Sequence, residues 1–163
     1  MKTLIVVPAR YGSTRLPGKP LLEIAGVPMV KRVYGKALQA AERLDDVQAV
    51  VATDDERIQS YCQAEGINVV MTDPELPSGS DRALAAHTAL GSSAEFILNL
   101  QGDAPFTPAD YLVALVQEAR RVPEAQVVTP VTAMSWQSLD ALRASKATEA
   151  PRFSGTTCVC DQN

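Results

Sequence analysis

Short runs of β-branched and other apolar residues alternate with segments of helical periodicity along most of the chain. Parallel strands need a crossover between them, and a helix usually supplies it, so this alternation predicts a mostly parallel sheet. The predicted strands are 3–7, 47–53, 68–72, 96–100 and 126–132. We therefore expect an α/β fold with helices on both faces of the sheet.

Helix candidates lie between these strands, at 29–41, 55–65, 80–90 and 111–121. Gly66 and Gly91 follow the second and third candidates, which is typical of a residue just past a helix end. Before the fourth candidate, Thr107 is expected to cap the helix and Pro108 to lie in its first turn. These boundaries agree with the predicted strand starts.

The net charge of −4 gives no general field that would attract nucleic acid or an anionic membrane. No apolar run approaches membrane-spanning length, and the first residues are too short for a signal peptide. We therefore expect neither a nucleic-acid partner nor membrane insertion. Cys62, Cys158 and Cys160 lack the spacing of a zinc site, which favours reduced, buried thiols in the cytoplasm.

The segment 8–20 follows the first predicted strand, and ligands of parallel sheets bind outside the carboxyl ends of the strands. Arg10, Arg15 and Lys19 in this segment can donate charge-assisted hydrogen bonds to phosphate oxygens. Its two glycines let the backbone approach a ligand closely. The segment predicts a triphosphate site, and the alternative is a solvated cationic surface loop.

Two familiar phosphate-binding motifs are excluded by spacing. Gly12 and Gly18 are separated by five residues where a Walker loop has four, and Pro20 stands in place of its serine or threonine. The three spaced glycines of a dinucleotide-binding turn are also missing from the segment. Any phosphate site here is therefore of another class.

Five blocks of the sequence resemble, in order, the signature of the bacterial CMP-Kdo synthetases. They are Pro-Ala-Arg-Tyr-Gly-Ser-Thr-Arg-Leu-Pro-Gly-Lys-Pro-Leu at 8–21, Ile-Ala-Gly-Val-Pro-Met at 24–29, Val-Val-Ala-Thr-Asp at 50–54, Ser-Gly-Ser-Asp-Arg at 78–82 and Asn-Leu-Gln-Gly-Asp at 99–103. The resemblance implies a Rossmann-like nucleotidyltransferase fold. It also implies that 1–163 is a nucleotide-binding domain truncated at its C-terminus, and that the intact protein is a cytoplasmic homodimer.

The reaction implied by the resemblance is transfer of CMP from CTP to 3-deoxy-manno-octulosonate (Kdo), with release of pyrophosphate, for lipopolysaccharide biosynthesis. The implied nucleotide-binding residues are Pro8, Ala9, Arg10, Ser13, Thr14, Arg15, Lys19, Met71, Thr72, Ser78 and Gly79. Arg82 and Gln101 match positions at the nucleoside and sugar ends of the family's cleft, although Arg82 could instead be a surface helix residue. Arg15, Lys19 and Asp103 are the implied catalytic residues.

Asp103 is the candidate ligand for Mg²⁺, a hard ion usually held by one or two carboxylates together with phosphate oxygens and water. The alternative is a turn-forming aspartate, which is common beside glycine. Ala104 departs from the family, which usually has glutamate there, and Leu76-Pro77 is less polar than the family's pattern. These departures leave 8-amino-Kdo open as the acceptor. Two separate alternatives are a cytidylyltransferase for a spore-coat-type sugar and a non-catalytic nucleotide-binding module.

The family's second metal-binding aspartate is expected beyond Asn163. A further strand is predicted at 156–161, and Trp136 is predicted to begin an amphipathic segment and to anchor packing. His87, the single histidine, lies among alanines in a predicted helix. We expect a structural role for it.

Overall fold

The computed structural model describes residues 1–12 and 16–146, and the chain divides into two compact units, Met1–Val128 and Thr129–Asn163. Among the described residues, no helix combines the length and the apolar character that crossing a membrane would require. The strand predicted at 156–161 lies outside the described residues. The expectation of a single domain over 1–163 stays a prediction.

The described residues form short strands and five α-helices. The strands are β1 (Thr3–Ala9), β2 (Glu23–Ile24), β3 (Val27–Pro28), β4 (Val47–Thr53), β5 (Val69–Met71) and β6 (Phe96–Asn99). The α-helices are α1 (Met29–Ala41), α2 (Glu56–Ala64), α3 (Gly79–Ala89), α4 (Ala109–Arg121) and α5 (Trp136–Lys146), and a 3-10 helix covers Lys19–Leu21.

Four strands of the first unit form a parallel sheet in the order β5-β4-β1-β6. In this register, Thr3 of β1 pairs with Val47 of β4 on one side and with Phe96 of β6 on the other. The connections therefore run to opposite sides of β1, which makes the β1–β6 boundary the switch point of the sheet. The predicted parallel sheet is confirmed.

Helices cover both faces of the sheet because alternate residues of β1 point to opposite sides. Ile5 and Val7 are fully buried in a core with residues of α1, α2 and α4. Leu4 and Val6 are buried on the other face, against the alanines of α3. This two-faced burial explains why β1 reads as a continuous apolar run rather than an alternating one.

A small antiparallel hairpin, formed by β2 and β3, was not predicted from the sequence. Its two-residue turn is Ala25-Gly26, and both residues have positive φ, 48° and 75°. That geometry suits the twist of a tight hairpin. Arg32 of α1 donates from Nε to the Ile24 carbonyl oxygen at 2.8 Å, which ties the hairpin to the core helix.

The helix boundaries agree with the predicted ones to within two residues, except for the cap of α4. Gly66 and Gly91 have positive φ of 66° and 55°, as expected of residues that end helices. Thr107, predicted as the cap, instead lies in a turn, where its N–H donates to the Ala104 carbonyl oxygen at 3.2 Å. Pro108 occupies the N-cap position and α4 begins at Ala109.

The strand predicted at 126–132 is wrong, since this segment has no regular structure. Val127 is 81% exposed, and Val131 is also largely exposed. Strand preference reflects how well a side chain packs on a half-buried pleated surface. None of the strands in the described residues pairs with this segment, so its apolar side chains have no such surface.

The described part of the second unit contains α5. Its first turn is held by Ser135, whose Oγ accepts a hydrogen bond from the N–H of Ser138 at 3.1 Å. Trp136 begins this helix, as expected of an amphipathic segment, but its side chain is largely exposed.

Candidate functional site

A cleft of about 580 Å³ opens at the carboxyl ends of β1 and β6, where the switch point of the sheet lies. Nine of the residues predicted from the sequence line it: Pro8, Ala9, Arg10, Lys19, Ser78, Gly79, Arg82, Gln101 and Asp103. Leu16, Leu76 and Pro77 add an apolar part to the wall. The structure thus brings together predicted residues from three separate sequence blocks, 8–21, 78–82 and 99–103.

The remaining predicted residues fall into two groups. Ser13, Thr14 and Arg15 lie outside the described residues. Met71 and Thr72 lie at the end of β5 and are not part of the cleft lining. Thr72 Oγ1 donates to the Thr53 carbonyl oxygen at 3.0 Å, so this hydroxyl joins the ends of two neighbouring strands.

The turn after β6 packs directly on the end of β1. A Cβ atom built on Gly102 would lie 2.1 Å from the carbonyl oxygen of Pro8, so no other residue fits without a backbone shift. The N–H of Ala104 donates to the Gln101 carbonyl oxygen at 3.0 Å and closes the turn. Because this turn lies so close to the end of β1, its residues Gln101 and Asp103 line the cleft.

Lys19 and Asp103 form an ion pair across the cleft, with Lys19 Nζ 2.9 Å from Asp103 Oδ2. Both side chains are partly solvated, and that of Asp103 is 59% exposed. Their charges are therefore accessible to a ligand. In this arrangement a cation from the loop after β1 faces the carboxylate after β6.

Arg82 belongs to α3 and is buried, with a side chain that is only 3% exposed. Its Nη2 donates to Asp54 Oδ2 at 2.8 Å, and its Nη1 donates to Thr72 Oγ1 at 2.6 Å. Asp54 itself is 13% exposed. The alternative of a surface helix residue is thus excluded for Arg82. Asp54 was assigned no role from the sequence, since nothing local signals a partner in a distant helix.

The N-terminus of α3 adjoins the cleft. Ser78 is the N-cap residue, and its Oγ accepts a hydrogen bond from the N–H of Asp81 at 3.1 Å. A Cβ on Gly79 would lie 3.3 Å from Pro8 Cγ, so a glycine lets the helix start close to the end of β1. A helix N-terminus carries partial positive charge, which suits an anionic ligand.

The donor set suits a metal ion that arrives with a nucleotide. Asp103 is the sole carboxylate among the described residues that line the cleft, and no described group of three or more metal-ligating side chains exists. Mg²⁺ is commonly held by one or two carboxylates, with phosphate oxygens and water completing its coordination. An exposed carboxylate beside the cations Arg10 and Lys19 fits that pattern.

His87 has the structural role expected for it. Its side chain is half-buried, and its Nε2 lies 3.0 Å from the carbonyl oxygen of Ala94. His87 is not among the residues that line the cleft.

Comparison with known proteins identifies the group to which the chain is similar. The 3-deoxy-manno-octulosonate cytidylyltransferase of Maricaulis maris is 44% identical over 98% of this chain and 60% of its own length. A second such enzyme, from Paraburkholderia phytofirmans, is 47% identical over 80% of this chain and 51% of its own length. The chain thus spans about half to three-fifths of these relatives.

A solved structure of CMP:2-keto-3-deoxy-manno-octonic acid synthetase, complexed with CTP, matches with a TM-score of 0.69 and 42% identity. The match covers 76% of this chain and 49% of that one. The Rossmann-like nucleotidyltransferase fold and the resemblance predicted from the sequence blocks are both confirmed. The cytidylyltransferase family model matches residues 4–151. The chain belongs to the cytidylyltransferase family.

Proposed function

We propose that this chain is the nucleotide-binding part of an enzyme that transfers CMP from CTP to Kdo and releases pyrophosphate, for lipopolysaccharide biosynthesis. The observation that carries the proposal is the convergence of Arg10, Lys19 and Asp103 on one cleft at the switch point of the sheet. The similarity to a synthetase whose solved structure contains CTP supports the choice of nucleotide.

Arg10 and Lys19 would bind the triphosphate through charge-assisted hydrogen bonds, and the family resemblance adds Ser13, Thr14 and Arg15 to this set. Arg15 and Lys19 would neutralise the departing pyrophosphate. Phosphoryl transfer depends mainly on positioning and charge stabilisation. No activated nucleophilic side chain is needed, because the attacking group is a hydroxyl of the sugar.

Asp103 would hold Mg²⁺, which when bound would neutralise phosphate charge and lower the pKa of the attacking hydroxyl. Lys19, now paired with Asp103, would turn to a phosphate oxygen as the nucleotide enters. The hydroxyl oxygen of the sugar then attacks the α-phosphorus in line with the pyrophosphate. The P–O bond to pyrophosphate breaks, pyrophosphate leaves with that electron pair, and the hydroxyl proton passes to solvent water.

The nucleoside would lie near the N-terminus of α3, where Ser78 and Gly79 line the cleft. Met71 and Thr72 are expected beside it, at the end of β5. Gln101 and Arg82 are proposed contacts at the sugar and nucleoside ends. Because the guanidinium of Arg82 already bonds Asp54 and Thr72, any contact it makes with a substrate would be oriented by those two partners.

Apolar Leu76 and Pro77 line the cleft where the family pattern is polar, and this difference bears on the choice of acceptor sugar. A close analogue such as 8-amino-Kdo is the second candidate acceptor. We also propose that the reaction takes place in the cytoplasm, where CTP is made, and that the intact protein is a homodimer.

The test is a pyrophosphate-release assay on the intact protein that contains this chain, with Mg²⁺ and a panel of nucleotides and acidic sugars. We expect release with CTP and Kdo, or with CTP and 8-amino-Kdo, and much less with ATP or UTP. Equal turnover with sialic acid would contradict the proposed substrate class. CTP binding without release by any sugar would instead identify a non-catalytic nucleotide-binding module.

A further inference from the structure

Two of the cations that line the cleft, Arg10 and Lys19, flank the ends of one loop. The N–H of Gly18 donates to the carbonyl oxygen of Tyr11 at 3.0 Å, which joins the ends of the loop. Arg10 directly precedes Tyr11, Lys19 directly follows Gly18, and both cations line the cleft. The position of Tyr11 relative to Gly18 therefore determines the distance between the backbone positions of Arg10 and Lys19.

The ring of Tyr11 packs directly on Gly18. A Cβ atom built on Gly18 would lie 2.9 Å from Cζ of the ring, and the φ of Gly18 is 70°. Both the contact and the backbone conformation thus require glycine at this position. Any displacement of the ring would be transmitted to Gly18, and through it to Lys19.

Arg57, in the first turn of α2, lies over the face of the same ring. Its Cζ is 3.3 Å from the centroid of the Tyr11 ring, within the range of a cation–π interaction. Arg57 is not among the residues that line the cleft. It is therefore placed to act on the loop rather than on a ligand.

Asp55 determines the orientation of the Arg57 guanidinium. Arg57 Nε donates to Asp55 Oδ1 at 2.9 Å, and Arg57 Nη2 donates to Asp55 Oδ2 at 2.7 Å. Asp55 is also the N-cap of α2, where its Oδ1 accepts from the backbone N–H of Arg57 at 2.9 Å. A bidentate pair of this kind constrains direction as well as distance. The guanidinium of Arg57 holds the pKa of Asp55 below its usual value, so the pair is charged at neutral pH.

We propose that Arg57, oriented by Asp55, is a positioning residue for nucleotide binding, which acts through the ring of Tyr11 to hold Arg10 and Lys19 in their binding arrangement. This role rests on the proposed binding of CTP. It couples α2, which follows β4, to the loop that follows β1. The strands β4 and β1 are neighbours in the sheet. It requires no contact between Arg57 and the nucleotide.

The experiment measures CTP affinity by calorimetry in the intact protein, for Arg57→Ala, Tyr11→Leu and the double variant. Arg57→Ala should weaken CTP binding about threefold to tenfold, as expected from loss of one cation–π contact. It should raise the KM for CTP more than it lowers kcat. In the Tyr11→Leu background, Arg57→Ala should have no further effect, because the ring through which it acts is gone.

Two further variants separate positioning from general charge. Arg57→Lys keeps the cation but not the planar fork, so it should recover the affinity only in part. Arg121→Ala is the matched control. Arg121 makes a similar bidentate pair with Glu118 on α4, in which Arg121 Nε lies 2.8 Å from Glu118 Oε2. Arg121 does not line the cleft. Its CTP affinity should equal that of the parent. Thermal unfolding of each variant shows that it is folded.

A CTP affinity within twofold of the parent for Arg57→Ala would overturn this role while leaving the proposed function intact. An undiminished effect of Arg57→Ala in the Tyr11→Leu background would also overturn it. The loss of CTP affinity would then come from the positive charge of Arg57 and not from its contact with the ring. Absence of CTP binding by the parent would overturn the proposed function and this role together.

Discussion

Lys19 Nζ lies 2.9 Å from Asp103 Oδ2, so the cation that begins the 3-10 helix and the carboxylate that follows β6 neutralise each other across the cleft. Both groups are proposed to engage the nucleotide and its metal ion. Entry of a metal-bound triphosphate would exchange this pair for two new ones, Lys19 with phosphate and Asp103 with the metal. Binding of metal and nucleotide should therefore be mutually supportive.

Replacement of Lys19 by methionine should strengthen the binding of Mg²⁺ without nucleotide and weaken the binding of CTP. The expected gain in metal affinity is only about twofold to fivefold, because a solvated ion pair contributes at most about 1 kcal/mol. Calorimetric titration with Mg²⁺ alone, then with CTP, measures both. A fall in Mg²⁺ affinity on removing Lys19 would contradict the exchange.

Replacement of Asp103 by asparagine keeps the shape of the side chain but removes the charge proposed to hold Mg²⁺. Pyrophosphate release should fall by about a hundredfold or more, the usual scale for loss of one electrostatic contact to a transferring phosphoryl group. The free energy of unfolding should change by less than about 1 kcal/mol, since the ion pair with Lys19 is solvated. Activity at several Mg²⁺ concentrations, measured beside urea unfolding, tests both statements. An unaltered Mg²⁺ dependence would return Asp103 to a turn-forming role.

Gly102→Ala should destabilise the protein by about 3 kcal/mol or more, because the new Cβ would lie 2.1 Å from the Pro8 carbonyl oxygen. Gly35→Ala is the matched control: Gly35 lies within α1, with open space around it, so alanine there should stabilise by about 0.5–1 kcal/mol. Urea unfolding of both variants gives the comparison. Equal stability of the two variants would show that the turn after β6 can move away from β1.

Arg82→Ala should destabilise the protein by about 3 kcal/mol, because it leaves the nearly buried carboxylate of Asp54 without its partner. Lysine should not restore the loss, since it cannot bond Asp54 and Thr72 in the same planar geometry. Chemical denaturation of both variants measures the effect. If the alanine variant were as stable as the parent but bound CTP weakly, Arg82 would be a substrate contact only.

Cys62 should be unreactive toward thiol reagents in the native protein at pH 8. Burial raises its pKa to about 11, so roughly one thiol in a thousand is ionised at that pH, and the side chain is fully buried. Mass spectrometry after brief alkylation, with and without urea, locates the modified residues. Rapid native alkylation at Cys62 would show that α2 opens readily.

The sequence was enough to predict the sheet and most of the cleft, because the carboxyl ends of parallel strands must meet at one edge. Arg10, Lys19 and Asp103 could be placed together on that basis alone. The pair of Arg82 and Asp54 could not be predicted, since each lies in a local pattern that suits a solvated residue equally well. Only the packing of α3 on the sheet brings their side chains together.

Two predictions from the sequence were wrong for different reasons. The valines at 126–132 have the composition of a strand, but strand formation depends on a neighbour that local sequence does not show. Thr107 has the chemistry of a helix cap, but it closes the turn that begins at Ala104, and Pro108 occupies the N-cap position of α4. In the first place no partner strand is present among the described residues, and in the second a neighbouring turn outweighed the preference of the residue itself.

The central place of β1 in the sheet has a consequence for how the protein is made. Thr3 leaves the ribosome before either of its ladder partners, Val47 and Phe96. This central strand must therefore wait, with one edge and then the other unpaired, until residue 96 has been synthesised. Pairings so distant in sequence fold slowly and leave apolar surface open to aggregation. We expect nascent chains that end before residue 96 to depend on chaperones.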